Sequence, residues 1–335
     1  MKDISQYSLL SHNTFGIDAK CRRFVEFSSV SELLQIIGRL TKADEPLLLL
    51  GGGSNLLLTA DFDGTVLHSA IKGVELMGVE EDDVLVRVGS GETWDDFVAL
   101  CVERGWYGAE NLSLIPGEVG ASAIQNIGAY GVEAKDLIER VEAVEIATGH
   151  RVTIEREECE YGYRQSRFKQ DWKNCFVVTH VIYRLSTKFT PQLDYGNLRN
   201  VLMTESPTAK DVRQAIIDIR RAKLPDPKEL GNGGSFFMNP IVSIEKYHAL
   251  SEQYPQMPHY DVDEAHVKIP AGWMIEQCGW KGKSLGKAGV HDKQALVLVN
   301  LGGATGQEIV TLCETIRQDV FDKFGIDIRP EVNVV

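Results

Sequence analysis

No stretch of this 335-residue chain approaches the roughly eighteen consecutive apolar residues of a membrane-spanning helix, so no span is expected. The opening run MKDISQYSLL has no basic segment followed by an apolar one, from which we expect no signal peptide and a cytoplasmic location. Positive charge is short as well: 35 lysines and arginines face 48 aspartates and glutamates, a formal net charge of −13. Such a chain lacks the broad positive field that holds nucleic acid or anionic lipid. An anionic small molecule needs only a few basic side chains converging locally. Cysteine is sparse, at Cys21, Cys101, Cys159, Cys175, Cys278 and Cys313, and no pair has the CxxC spacing. Neither these nor the 8 histidines show metal-ligand spacing, so no metal site is expected and the thiols read as free.

What is present is ordinary globular material, 43% apolar and 25% charged, long enough for two or three domains. Strand and helix patterns are mixed. Residues 29–40 read as a helix with a Ser29–Glu32 capping box, followed by an apolar strand over 47–50. Residues 84–88 alternate as a strand. Thr93 then caps a helix that buries Trp94, Phe97, Val98, Cys101 and Val102 and stops at Gly105. Further strands are expected over 141–147 and 176–185, and a helix over 208–222. Pro225 and Pro227 then forbid continuation and place a domain break near residue 220. A helix around Trp273, a strand over 295–300 and a long helix over 307–324 complete an α+β pattern.

Glycine is enriched, 31 residues or about 9% against a usual ~7%. Gly51-Gly52-Gly53-Ser54-Asn55 follows a buried strand, where successive backbone amides can form a nest for phosphate. It lacks the third glycine of G-x-G-x-x-G and the GK[ST] of a P-loop, and taken alone it reads more readily as a tight turn. A second cluster runs Ile115-Pro116-Gly117-Glu118-Val119-Gly120-Ala121-Ser122, then Gln125-Asn126-Ile127-Gly128-Ala129-Tyr130-Gly131. Two such loops, each after strand material, suggest a dinucleotide held by backbone amides. A third cluster, Gly302-Gly303-Ala304-Thr305-Gly306, reads as the start of the final helix.

In order along the chain, G-G-G-S-N at 51–55, I-P-G-x-x-G at 115–120 and Q-N-I-G-A-Y-G at 125–131 resemble the UDP-N-acetylenolpyruvoylglucosamine reductases. These are also called UDP-N-acetylmuramate dehydrogenases. The resemblance continues through Tyr161-Gly162-Tyr163-Arg164-Gln165-Ser166, Gly233-Gly234-Ser235-Phe236-Phe237 and Arg329-Pro330-Glu331-Val332. It implies an FAD-binding domain of the vanillyl-alcohol-oxidase class in two subdomains, over 1–70 and 71–219. It also implies a smaller α+β substrate-binding domain over 220–331, with 332–335 returning to the first subdomain. Tyr195, in Leu193-Asp194-Tyr195-Gly196-Asn197, matches a tyrosine loop found in one of the family's two types.

The resemblance further implies an oxidoreductase of peptidoglycan synthesis. NADPH reduces non-covalent FAD, and flavin N5 delivers hydride to the terminal enolpyruvyl carbon of UDP-N-acetylglucosamine enolpyruvate. Arg164 and Glu331 would stabilise the enolate, and Ser235 would give the proton. Gly51, Gly52, Gly53, Ser54, Asn55, Ile115, Pro116, Gly117, Gly120, Ala121 and Ser122 would hold the cofactor. Tyr130, Tyr195, Lys223, Asn239, Lys281 and Gln294 match positions that contact the sugar nucleotide. One departure is Met238, where the family often has lysine. Two alternatives stay open: a flavin oxidase of the same FAD-binding class acting on a small alcohol, and a regulatory flavin- or nucleotide-binding module. No histidine accompanies Ser235 in a triad-like context, which leaves a hydrolase unsupported.

Overall fold

The computed structural model describes residues 1–195, 198–202 and 204–335; Gly196 and Asn197 of the expected tyrosine loop lie outside the described residues. The chain divides into two compact units. The first comprises residues 1–7, 21–52 and 63–220, the second residues 8–20, 53–62 and 221–335.

Among the described residues, the first unit contains two larger sheets and a two-stranded ribbon of Gly128–Ala129 and Val132–Glu133. One has four strands in the order Lys2–Ser8, Lys20–Phe27, Phe62–Ser69, Leu47–Leu50, the last two parallel. The other has five, Arg151–Glu155, Ile138–Glu145, Phe176–Ser186, Asp83–Gly89 and Val74–Glu80, antiparallel throughout. The strand Phe176–Ser186 runs through its middle and is buried along most of its length, which is why it reads as a continuous apolar run. One face packs on the helix Trp94–Arg104, where the rings of Trp94, Phe97 and Tyr183 meet with centroids 5.0–5.9 Å apart. Val144 and Val177 from this sheet share a second core with Val25, Phe27 and Leu67 of the other and with Leu33 of the helix Val30–Ile37.

The second unit is built on the strands Gly231–Ser235, Val297–Asn300, Ala288–Val290 and Ser284–Leu285, together with the helix Gly306–Phe324. A three-stranded sheet of Ile241–Ser243, His266–Lys268 and Tyr260–Asp261 accompanies them. The chain's last strand, Asn333–Val334, lies parallel to Leu56–Leu57. Phe236 and Phe237, both buried, anchor the core, with Phe15 edge-on to Phe236 at 6.1 Å. Among the described residues no helix is long and apolar enough to cross a membrane. Nor, among them, could any group of His, Cys, Asp or Glu hold a metal ion.

Two local expectations differ from what forms. Ser29 caps the first helix, Val30–Ile37, by accepting from the Glu32 amide. The Glu32 carboxylate, however, reaches the Ser28 amide rather than that of Ser29, so the reciprocal bond closes one residue early. Thr93 precedes its helix without a side-chain cap. The first helical amide, Trp94 N–H, donates instead to the Gly117 carbonyl at 3.0 Å, so the second glycine loop satisfies the helix end.

The glycine run before the last helix has a packing reason. A Cβ on Gly306 would stand 1.9 Å from the Leu58 carbonyl oxygen. We expect Gly306→Ala to destabilise by about 1–3 kcal/mol, read as a lower urea midpoint at unchanged slope. An unchanged midpoint would show that the two segments separate freely.

Candidate active site

In the first unit the two glycine loops meet. A Cβ on Gly51 would lie 3.4 Å from the Ala121 Cβ and 3.3 Å from Glu118 Oε2; one on Gly52 would lie 3.3 Å from Gly117 Cα. At Gly52 bare backbone meets bare backbone, and at Gly51 the missing Cβ makes room for the Glu118 and Ala121 side chains. Loops this poor in side chains are held from outside. The second is fastened by Trp94 Nε1 donating to Leu112 O at 2.9 Å, the Leu114 amide donating to Asp95 Oδ1 at 2.5 Å, and the Val119 amide donating to Glu92 O at 2.9 Å. Gly120 sits against Ser90, whose Cβ would be 2.8 Å from an added methyl. Ser122 is 1% exposed, its hydroxyl between Val119 O at 2.7 Å and Tyr183 Oη at 2.8 Å. It faces the core by its side chain and contributes smallness and backbone to the loop. Ile115 packs half-buried on the same core.

A second cluster in this unit gathers Arg164, Tyr130 and Tyr195. The run Tyr163–Lys169 has three cations, and the structure separates them. Arg167 pairs with Asp171 at 3.2 Å and covers Trp172, its guanidinium 3.9 Å from the ring centroid. Lys169 donates to Gln125 Oε1 at 3.1 Å and to the Arg164 carbonyl at 2.8 Å. Arg164 stands in a tight turn with φ +57° and donates from Nη2 to Gly128 O at 2.7 Å. That turn is held by Asn126, fully buried at φ +45°, which donates to Gly162 O at 2.8 Å and accepts from the Lys135 amide at 3.0 Å. Asparagine suits the position because it tolerates the left-handed region and uses both ends of its amide. Asn111, 1% exposed, likewise donates to the carbonyls of Tyr130 and Gln192 at 2.8 and 2.9 Å. The Tyr130 and Tyr195 rings stand edge to face, 6.5 Å between centroids.

Sequence reading missed Arg220. Its Nε is buried and has no hydrogen-bond partner, an arrangement that calls for an anion. Burial pushes the guanidinium down from its ordinary range; Tyr130 and Asp95 favour its charge, while nearby Arg164 opposes it. The available signal was periodicity: Arg220 follows buried Ile216 by one turn of the helix Ala209–Lys223, on the apolar side.

In the second unit Gly53 takes φ +62°, and a Cβ there would lie 1.9 Å from His12 O. Asn55 donates to Glu331 O at 3.3 Å and its own carbonyl receives the Asn333 amide at 3.1 Å. Ser54 belongs to the same unit. The strand Gly231–Ser235 carries a bulge: Asn232 opposes Val299 and Ser235 opposes Val297, so Gly233 and Gly234 share one partner position. Gly234 has φ +70°, its amide held by Asn232 Oδ1 at 2.9 Å, and Ser235 emerges exposed. Bulges of this kind re-aim a side chain. The tail then docks beside it: the Glu331 amide donates to Phe236 O at 2.7 Å and the Met238 amide to Arg329 O at 2.9 Å. Ser235 and Glu331 are thereby neighbours.

Asn239 accepts from the first amide of the helix Ala271–Gln277 at 2.9 Å. Gln294 accepts weakly from the Leu296 amide at 3.4 Å. Lys281 pairs with Glu276 at 3.1 Å on the surface, and Lys223 is exposed at its helix end. Arg164, Tyr130 and Tyr195 belong to the first unit, Ser235 and Glu331 to the second.

Residues 21–155 match an FAD binding domain family, and residues 226–335 match the family described as UDP-N-acetylenolpyruvoylglucosamine reductase, C-terminal domain. A UDP-N-acetylenolpyruvoylglucosamine reductase of Bacteroides fragilis is 57% identical over 331 residues, 98% of this chain and 99% of that protein. That of Flavobacterium johnsoniae is 48% identical over 336 residues, 99% of each. A crystal structure of the corresponding reductase from Thermus caldophilus superimposes with a TM-score of 0.69 at 22% identity, over 99% of this chain and 98% of that one.

Glu110, 2% exposed beside Asn111, gives a pH-dependent prediction. Burial raises its carboxyl above the usual range, against the opposing Gly108 amide at 2.8 Å. Its folded value therefore exceeds its unfolded one, and the stability it contributes is full below about pH 4.3 and lost as pH rises through the folded value. Glu110→Gln keeps the acceptor and removes the charge. We expect its stability to gain on wild type between acid and neutral pH; parallel urea midpoints across that range would disprove the shift.

Proposed function

Because the chain belongs to the UDP-N-acetylenolpyruvoylglucosamine reductase family, we propose that it uses NADPH to reduce UDP-N-acetylglucosamine enolpyruvate to UDP-N-acetylmuramate in the cytoplasm. It is an FAD oxidoreductase of peptidoglycan synthesis. The main chain left without side-chain cover at Gly51, Gly52 and Gly117, where a Cβ on either of the first two would crowd the facing loop, fits a cofactor that packs on main chain. In this reading Gly51 to Asn55, with Ile115, Pro116, Gly117, Gly120, Ala121 and Ser122, hold FAD. Neither loop contains a histidine or cysteine for a covalent link. When bound, FAD supplies the hydride chemistry between NADPH and the enolpyruvyl group.

The protein's own task is charge and proton. Hydride addition to the terminal carbon leaves negative charge on its neighbour and on the carboxylate. Arg164 meets it with a planar guanidinium whose fork matches a carboxylate, and Arg220, near it, receives an anionic group of the bound substrate. Ser235 gives the proton to the neighbouring carbon. A serine is a weak acid, but the acceptor is strongly basic and the bulge presents the hydroxyl exposed. The pairing of Phe236 with Glu331 is the observation that carries this assignment, because it brings the last family motif to the Ser235 turn. A carboxylate beside a developing enolate helps only when protonated or when it donates through a partner, so Glu331 acts in one of those ways.

Tyr130, Tyr195, Lys223, Asn239, Lys281 and Gln294 contact the sugar nucleotide in this proposal, and Tyr195 places the chain with the tyrosine-loop type. Residues 1–70 and 71–219 form the FAD-binding subdomains and 220–331 the substrate-binding domain, with 332–335 returning to the first.

The test is anaerobic visible absorbance of the protein, first with NADPH and then with the enolpyruvate. Bleaching followed by recovery supports the reading; recovery with oxygen alone would favour an oxidase. Ser235→Ala should bleach at the normal rate yet recover about 10²–10⁴-fold more slowly. Equal loss in both halves would remove Ser235 from the proton step. Neutralising Arg164 should also slow recovery more than bleaching.

A further inference from the structure

Within the first unit one ion pair touches both the second glycine loop and the helix that carries Arg220. Arg213 Nη1 lies 2.6 Å from Asp95 Oδ1 and Nη2 lies 3.1 Å from Oδ2, a two-pronged pair with side chains 15% and 26% exposed. The same Asp95 Oδ1 receives the Leu114 amide at 2.5 Å. Leu114 is a non-glycine residue at φ +57°, immediately before Ile115-Pro116-Gly117. A branched side chain in the left-handed region is strained and persists only where surrounding contacts fix it. Arg213 and Arg220 are seven residues apart on the helix Ala209–Lys223, two turns on one face. The end of that helix at Arg213 is therefore pinned, and the position of the Arg220 guanidinium follows from it.

We infer that Asp95 and Arg213 are positioning residues: Asp95 sets the strained approach to the second glycine loop, and Arg213 sets where Arg220 stands relative to Arg164 and Tyr130. This rests on the reductase reading above, in which the loop holds FAD and the arginines receive an anionic substrate. Asp95 stays ionised for the role. Burial pushes its carboxyl up, but Arg213, the Leu114 amide and Arg220 together outweigh burial and hold it below the usual range.

The two functions of the pair separate by substitution. Arg213→Gln leaves the Asp95–Leu114 bond intact. It should keep FAD affinity within about threefold of wild type, measured by flavin fluorescence on the apoprotein, and raise KM for the enolpyruvate by about tenfold with kcat little changed. Asp95→Ala removes both functions and should weaken FAD binding by about tenfold as well as raising KM. Asp95→Asn retains an acceptor for the Leu114 amide but not the charge that holds Arg213. It should recover FAD affinity while KM stays high. A pair that merely holds the fold would lower the melting temperature and kcat in all three variants without this split. That result overturns the inference, as does wild-type Kd and KM throughout. If the wild-type protein binds FAD but does not turn over the enolpyruvate, the substrate reading falls. The contrast between Asp95→Ala and Asp95→Asn in FAD affinity then still decides the Asp95 half.

Discussion

A loop made of glycine, alanine and serine can approach a ligand or another backbone closely, but it has no side chains with which to hold its own shape. Everything functional in this chain depends on how that problem is solved. One solution recurs: at four turns a buried asparagine uses its amide as a fixed template for main-chain groups. Asn126 holds the Arg164 turn, Asn111 the Tyr130 carbonyl, and Asn232 the Gly234 amide. Asn300, 8% exposed, does the same for the turn before the last helix, accepting from the Gly302 and Ala304 amides at 3.0 and 2.9 Å. Each such bond nets only about 0.5–1.5 kcal/mol, but leaving its buried partner unsatisfied costs about 1–3 kcal/mol. The loops are thus held by the penalty for opening them rather than by packing.

The same economy of side chains shapes the charge distribution. In a chain of net charge −13, several arginines of the first unit are tied to carboxylates: Arg87 to Glu142, Arg184 to Glu139, Arg167 to Asp171, Arg213 to Asp95. Against that background Arg220 stands out, with a buried Nε that has no hydrogen-bond partner. An acidic protein can bind an anionic substrate when such exceptions are collected in one place and the remaining cations are neutralised. Arg164 is distinguished differently, by a turn that forces φ +57° and points its guanidinium at the Gly128 carbonyl.

Much of the local structure was legible without coordinates. The Trp94 helix with its apolar stripe and Gly105 stop, and the final helix ended by Gly325, follow from periodicity and from the preference of glycine for the left-handed cap. The glycine loops were legible as places of close approach, because the absence of a Cβ is written in the sequence itself. Two details departed from that reading: the first amide of the Trp94 helix is met by the distant Gly117 carbonyl with no side-chain cap from Thr93, and, locally, Glu32 bonds to Ser28 rather than Ser29.

By itself the sequence determined which segments are small, which helices are amphipathic and which motifs occur in order, since these depend only on neighbouring residues. It did not determine that the Ser235 strand bulges against Val297–Asn300, that Glu331 pairs with Phe236, or that Asp95 links Leu114 to Arg213. Those contacts join residues far apart along the chain. Which of many possible partners a carboxylate or a carbonyl meets is settled only when the sheets and helices that carry them have packed.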